Sequence, residues 1–227
     1  MKKAYLLFIF MLLSGFVFSQ SLSHITLSGG SNLTSFSFTT DQKVIINISP
    51  DGKVLEWGIE MPTWRTGYIP GKLDPYMARV TYYDQQVDSA YIGKVKSIGT
   101  CQLIYYNSLE NSMQRGKLKK IGNIDLDYFN DYENNAWKGK LKFIGSQLVS
   151  FYSSTDNEGY RGKLKSVGST QLSYFSSLDD QLIRGKIKSI GSVSYAWYTS
   201  FETSRFHAGL KTGSYTQSIN GIIYYIR

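Results

Sequence analysis

Lysine and aliphatic residues take turns in Gly185-Lys186-Ile187-Lys188-Ser189-Ile190, the period of a strand buried on one face only. Leu172-Ser173-Tyr174-Phe175-Ser176-Ser177 is rich in aromatics and also alternates, as β-favouring residues do on a pleated surface. Apolar residues at the helical spacing of three and four are absent from these runs. Polar segments such as Ser154-Thr155-Asp156-Asn157-Glu158-Gly159 separate them. The predicted unit is therefore a β-hairpin of two strands, each about six or seven residues long, with two short loops.

The unit repeats. The phrase Gly-Lys-Leu-Lys-x-Ile-Gly and its close variants start at Gly93, Gly116, Gly139, Gly162 and Gly185, a constant period of 23 residues. A decayed copy keeps Leu210 and Lys211 in register, and an earlier one covers about 71–92. Aromatic columns run through Tyr82, Tyr105, Tyr128, Phe151, Tyr174 and Trp197, and through Tyr83, Tyr106, Phe129, Tyr152, Phe175 and Tyr198. An apolar column holds Leu103, Leu126, Val149 and Leu172; an acidic one holds Glu110, Glu133, Asp156, Asp179 and Glu202. A basic column holds Arg115, Lys138, Arg161 and Arg184 and closes on His207. All four prolines precede the regular array, which suits strands paired on both sides.

These periods predict an all-β fold of tandem 23-residue hairpins in one long antiparallel meander, open or rolled into a half-pipe. Its parts are a leader over 1–19, an N-terminal β cap over 20–70, the repeats over 71–213 and a capping strand over 214–227. In the cap, Val44–Ile48 and Lys53–Trp57 flank Ser49-Pro50-Asp51-Gly52, a strong hairpin signal. The cap is expected to continue the same sheet in degenerate form. Pairing Asp179 with Arg184 across the hairpin sets Ser177 opposite Lys186 and Phe175 opposite Lys188. One face then carries Leu172, Tyr174 and Ile187 with small Ser176, Ser189 and Gly185, and is the buried one. The other is a solvent face, where lysine stems cover the second aromatic column.

Charge and composition narrow the function. Lys2 and Lys3 precede an apolar run from Ala4 to Phe18, and Val17 and Ser19 suit a signal peptidase site before Gln20. The run is shorter than the roughly 20 residues of a spanning helix, and no cysteine follows it for lipid attachment. The chain is thus expected to be exported from a bacterium to the periplasm, cell surface or medium. Losing two lysines and no acid lowers the formal charge from +8 to +6. Hydrophobic residues are 42% of the chain, too many for a disordered protein. One cysteine, Cys101, excludes an intrachain disulfide, and two histidines, His24 and His207, argue against a histidine-built metal centre. No nucleophile elbow, phosphate loop or metalloprotease motif occurs, and Asp125 with Asp127 has no counterpart in other repeats. No catalytic residue, metal or cofactor is expected, and no nucleic-acid partner. Lysines on alternate positions argue against an outer-membrane barrel.

The array resembles tandem β-hairpin repeat families: MORN repeats in its period and hairpin architecture, and the YD- and WG-type repeats of secreted bacterial proteins in Ser49-Pro50-Asp51-Gly52-Lys53-Val54-Leu55. It is most similar to uncharacterised secreted bacterial proteins with Gly-Lys-Leu-Lys-Ser-Ile-Gly arrays, over residues 71–213. The resemblance implies a scaffold or binding role without catalytic residues. The expected function is an exported, non-enzymatic β-repeat scaffold or binding module of the bacterial envelope. The alternative is a binder of glycan or anionic polymer, an envelope polysaccharide for instance. It would use Lys140, Lys163 and Lys186, with Tyr106, Phe129, Tyr152 and Phe175. In this alternative the lysine rows form a positive strip and the rings a ladder for sugars; otherwise both serve packing and surface ion pairs. Mass spectrometry of the protein from its native host should find Gln20 at the mature N-terminus, and an intact Met1 would contradict export.

Overall fold

A computed structural model describes residues 20–202 and 208–227. The expected leader and His207 lie outside the described residues. The described chain is all-β, with no helix.

Eleven strands, from β6 (Val80–Tyr82) to β16 (Val193–Ser194), form an open meander in which each pairs antiparallel with the next in sequence. Four successive repeats each supply one strand of four residues and one of five, such as β13 (Leu164–Val167) and β14 (Thr170–Tyr174). A two-residue turn joins Val167 to its partner Thr170. Gly168 takes its first central position at φ +54°, where a left-handed residue is needed and glycine carries no steric cost. This explains the glycine that ends every copy of the repeated phrase.

The strands are shorter than expected, and each repeat carries a bulge. Ser173 pairs with Ser189 and Tyr174 with Ile187, leaving Lys188 as an extra residue. Lys96, Lys119, Lys142 and Lys165 are the extra residues of the equivalent bulges. A bulge shifts the side-chain alternation by one position. Leu164 and Val167, three apart, therefore both point inward, as do Ile187 and Ile190. Leu172, Tyr174 and Ile187 are buried as the alternation predicts. Two details of the expected pairing are corrected. Phe175 bonds to the backbone of Lys186 and Gly185, not Lys188, and Ser189 meets Ser173, Oγ to Oγ at 2.6 Å, instead of sharing the inner face with Ile187.

The flanking segments do not extend this sheet. They build a second one of seven strands. β1 (Ser21–Ser28), β2 (Asn32–Thr39), β3 (Val44–Ile48), β4 (Val54–Glu60) and β5 (Leu73–Pro75) run in sequence. On the other side of β1, β20 (Ile222–Ile226) pairs parallel with it and antiparallel with β19 (Thr216–Ile219). The reason lies in side-chain pattern. Ile25, Leu27, Phe36, Phe38, Val44, Ile46 and Ile48 are fully buried, and their alternation makes one wide apolar face that must be covered. It packs on the Leu/Tyr/Ile face of the array in a single core that includes Leu103, Leu118, Ile121 and Leu141. Each such side chain contributes roughly 1.5–3 kcal/mol of burial. A second sheet, not closure of the first, thus shelters the inner face.

Backbone bonds pin the two sheets at fixed repeats: Leu118 and Leu141 donate to Gly52 and Pro50 in one hairpin turn, and Ile187 donates to Gly30 in another. Excising one whole unit, residues 139–161, removes a pinned repeat and brings Ile187 one repeat closer to Leu118. The variant should melt at least about 10 °C below wild type, since a few kcal/mol shifts a chain of this size by that much. A variant as stable as wild type would show an independent array.

Candidate binding surfaces of the array

The first lysine row does not stand free. Lys140 Nζ donates to the Gly162 carbonyl at 2.7 Å, and Lys163 Nζ to that of Gly185 at 2.8 Å. Lys94 and Lys117 reach Gly116 and Gly139 in the same way. Each ammonium thus crosses to the next repeat. It also lies over the inner aromatic column, 4.8 Å from the Phe151 ring for Lys140 and 4.3 Å from Trp197 for Lys186, a favourable cation–ring contact. Where the array ends, the second sheet takes over: Lys186 donates to Gly29 O at 3.2 Å, and Lys163 also bonds to Ser31. Burial holds Lys94, Lys117, Lys140 and Lys186 below the ordinary lysine range. Burial, with nearby Lys186, pushes Lys163 down to about 8. The structure sets Lys140 and Lys163 as clamps between repeats and Lys186 as a clamp onto the second sheet.

The outer rings are packed too. Tyr106 and Phe129 are buried, and Tyr152 and Phe175 are half-buried. Tyr106, Phe129 and Tyr152 each set an edge against the inner ring of the following repeat, at 6.0–6.2 Å and 72–78°. The second lysine row covers them from outside, with Lys119 5.0 Å from Tyr106 and Lys188 5.7 Å from Phe175. The phenol groups of Tyr106 and Tyr152 donate to the Leu126 and Leu172 carbonyls. These rings form a packed ladder, not an open platform.

A column missed in the sequence holds the loops. Asn157 Oδ1 accepts N–H groups from Gly159 in its own loop (2.9 Å) and Ser177 in the next (2.8 Å). Asn134 does the same for Ala136 and Ser154, Asp88 for Ala90 and Ser108, and Asp180 for Leu182 and Ser200. The Ser200 hydroxyl and loop N–H groups hold the Asp180 carboxyl below its usual range, against a burial cost. The signal was present as Asp/Asn at 88, 111, 134, 157 and 180.

Four of the five acidic-column residues, Glu133, Asp156, Asp179 and Glu202, bond back to their own loops. Asp179 and Glu202 accept N–H groups three residues upstream, from Ser176 and Thr199. Glu133 does so for Asn130 and pairs with Lys142 at 2.8 Å. Its partner is therefore a second-row lysine, not the basic column. Arg115, Lys138, Arg161 and Arg184 stay exposed; Arg184 Nε lies 2.8 Å from Asp179 O, at the loop tip. One residue before the acids stands a further missed column. Leu109, Tyr132, Leu178 and Phe201 are 92, 93, 91 and 93% exposed, with Thr155 between them. Reading these loops as plain polar turns hid it.

The outer face of the second sheet holds a cleft of about 200 Å³ lined by His24, Ser37, Asn47, Glu56, Tyr225 and Arg227. His24 stacks on Tyr225 at 5.2 Å. Burial keeps its pKa below the ordinary value, against the pull of Glu60. Ser23 Oγ is 3.0 Å from His24 Nδ1, but its hydroxyl donates to Ser37 O and accepts from Thr39, so its proton is committed to the backbone. The chain matches no protein-family model, and no curated protein or solved structure is significantly similar to it.

Replacing Lys140, Lys163 and Lys186 together with Gln should cost about 2–4 kcal/mol in urea unfolding, because a bond from a charged donor is worth roughly 1.5–3 kcal/mol before screening of these half-exposed groups. The same change at exposed Lys119, Lys165 and Lys188 should cost within about 0.5 kcal/mol each. Equal losses would contradict the clamp. Lys163 should titrate near pH 8 by NMR. Between there and the ordinary lysine range the unfolded chain holds the extra proton, so this group makes folding more favourable as pH rises.

Proposed function

We propose that the protein is an exported, non-enzymatic β-repeat module of the bacterial envelope that binds through the loop edge of its array. The observation that carries this reading is the row Leu109, Tyr132, Leu178 and Phe201, large apolar side chains more than 90% exposed at one phase of the repeat. Isolated exposed apolar residues are common on proteins; four at one phase, held by bonded loops, mark a surface made for contact. Export rests on the apolar leader and its cleavage signal. The rival reading, a glycan or polyanion held by Lys140, Lys163, Lys186 and the outer rings, has less support because those groups are engaged with one another.

Fractionation of the native host tests the proposal. Wild type should be retained with the envelope. A variant with Leu109, Tyr132, Leu178 and Phe201 changed to Ser should be released, with circular dichroism and melting nearly unchanged, since exposed substitutions shift stability by about 0.5 kcal/mol or less. Equal retention of both, or wild type in the cytoplasm, would contradict it.

A further inference from the structure

We infer that the outer face of the second sheet holds a site for a neutral, polyhydroxylated ring, one sugar residue. The site is separate from the loop edge of the array. Strand register builds it. His24, Ser37, Asn47 and Glu56 lie directly opposite one another across β1, β2, β3 and β4. Tyr225, Thr26 and Ser35 form a second row across β20, β1 and β2. Both rows alternate with Ile25, Phe36 and Ile46, which fill the core. The outer face of such a sheet is ordinarily solvated. Here His24, Ser35, Ser37 and Asn47 are buried, four of the six buried Ser, Thr, Asn and His residues among those described. Their cover is the loop that follows β4. Tyr225 Oη donates to Glu60 Oε1 at 2.9 Å, and Arg227 donates to the Pro70 carbonyl. These bonds tie the loop back to β20 and wall the cleft. A Cβ at Gly71 would fall 2.5 Å from Arg227 Nη2 and 2.8 Å from the Tyr225 ring, so only glycine brings the wall this close.

The hydrogen-bond inventory selects the ligand. Asn47 Nδ2 donates to Glu56 Oε1 at 2.8 Å, and Asn47 Oδ1 has no partner among the described residues. A buried side-chain carbonyl without a donor is rare in a folded protein, and this one belongs to the row that lines the cleft. The hydroxyls of Thr26, Ser35 and Ser37, in the same lining, also bond to no described residue. The one proton of Ser23 Oγ goes to Ser37 O, so His24 Nδ1 is the donor in its contact with Ser23. Nε2 is then a bare acceptor, 4.0 Å from Glu60 Oε2. Acceptors without donors, beside hydroxyls that can serve as either, match a ligand carrying several hydroxyl groups. An ammonium ion would answer the acceptors alone, and an anion would meet Glu56 and Glu60. Leu55 and Leu73 supply an apolar wall for the C–H face of a sugar ring. The cleft, about 200 Å³, is smaller than the roughly 300–1,000 Å³ of sites for drug-sized ligands, and suits one ring.

Residue-resolved NMR of the protein with added sugars tests this. The probes are glucose, galactose, mannose and N-acetylglucosamine, which as single residues bind in about the millimolar range. At least one should shift the amide signals of His24, Ser37 and Asn47 saturably. Cyclohexanol, a ring with one hydroxyl, should bind at least tenfold more weakly, because a site built for hydroxyls rejects a ring that lacks them. Asn47→Leu and Ser37→Ala should each weaken sugar binding at least tenfold with circular dichroism unchanged. The variant with Ser at Leu109, Tyr132, Leu178 and Phe201 should bind the sugar as wild type does, so this site and the loop edge can fail separately. No saturable shift with any of the four sugars, shifts confined to the array, or undiminished binding by both cleft variants would overturn the inference. So would ethylammonium binding more tightly than every sugar, because the cleft would then be a cation site.

Discussion

A meander of near-identical hairpins has to satisfy its backbone polar groups at both ends of every strand, where turns and bulges interrupt the ladder. The rest of this structure follows from how that is done. At one end a glycine in left-handed conformation closes a two-residue turn. At the other, Asn157 and its counterparts each bond to N–H groups of two successive loops, and Lys140 or Lys163 crosses to the next glycine carbonyl. The repeated phrase is thus a device for joining neighbours. Its lysines and glycines recur because each copy completes the one beside it.

The same constraint limits what the array offers to a ligand. Lysines with their stems along rings and their ammonium groups on carbonyls are half-withdrawn from solvent, as the lowered pKa of Lys163 reflects. Acids that cap loop N–H groups are tied to their own loops. The side chains at the loop tips remain outside this bonding and vary among Leu, Tyr, Thr and Phe. In the proposed reading, binding uses that edge. The ends of the chain obey a different rule: an open apolar face needs a cover, and β1 and β20, from opposite ends of the chain, join to make it.

Much of the array was legible in the sequence. The period, the hairpin unit and the burial of Leu172, Tyr174 and Ile187 follow from alternation and strict spacing. The bulge was not, because Gly185-Lys186-Ile187-Lys188 reads as regular alternation, and only the pairing shows Lys188 to be extra. The Asx column escaped notice since Asp and Asn in a polar loop look like ordinary turn residues until the bond to the next loop is seen. Residues 20–70 have the pattern of strands but no repeat to assign their neighbours. Their pairing with Ile222–Ile226 depends on a contact across nearly the whole chain, which local periodicity does not encode. Of the candidate site, the lysine row and both ring columns were visible as positions, but their mutual engagement was not.

Native-state hydrogen exchange resolved by residue tests most directly the claim that side chains lock successive loops together. The amides of Ser108, Ser154, Ser177 and Ser200 lie outside the strands, and each donates to an Asp or Asn of the preceding repeat. The account predicts that they exchange as slowly as the neighbouring strands, through global unfolding. Asn157→Ala should speed Ser177 selectively. Exchange of all four as fast as free loop amides would contradict it.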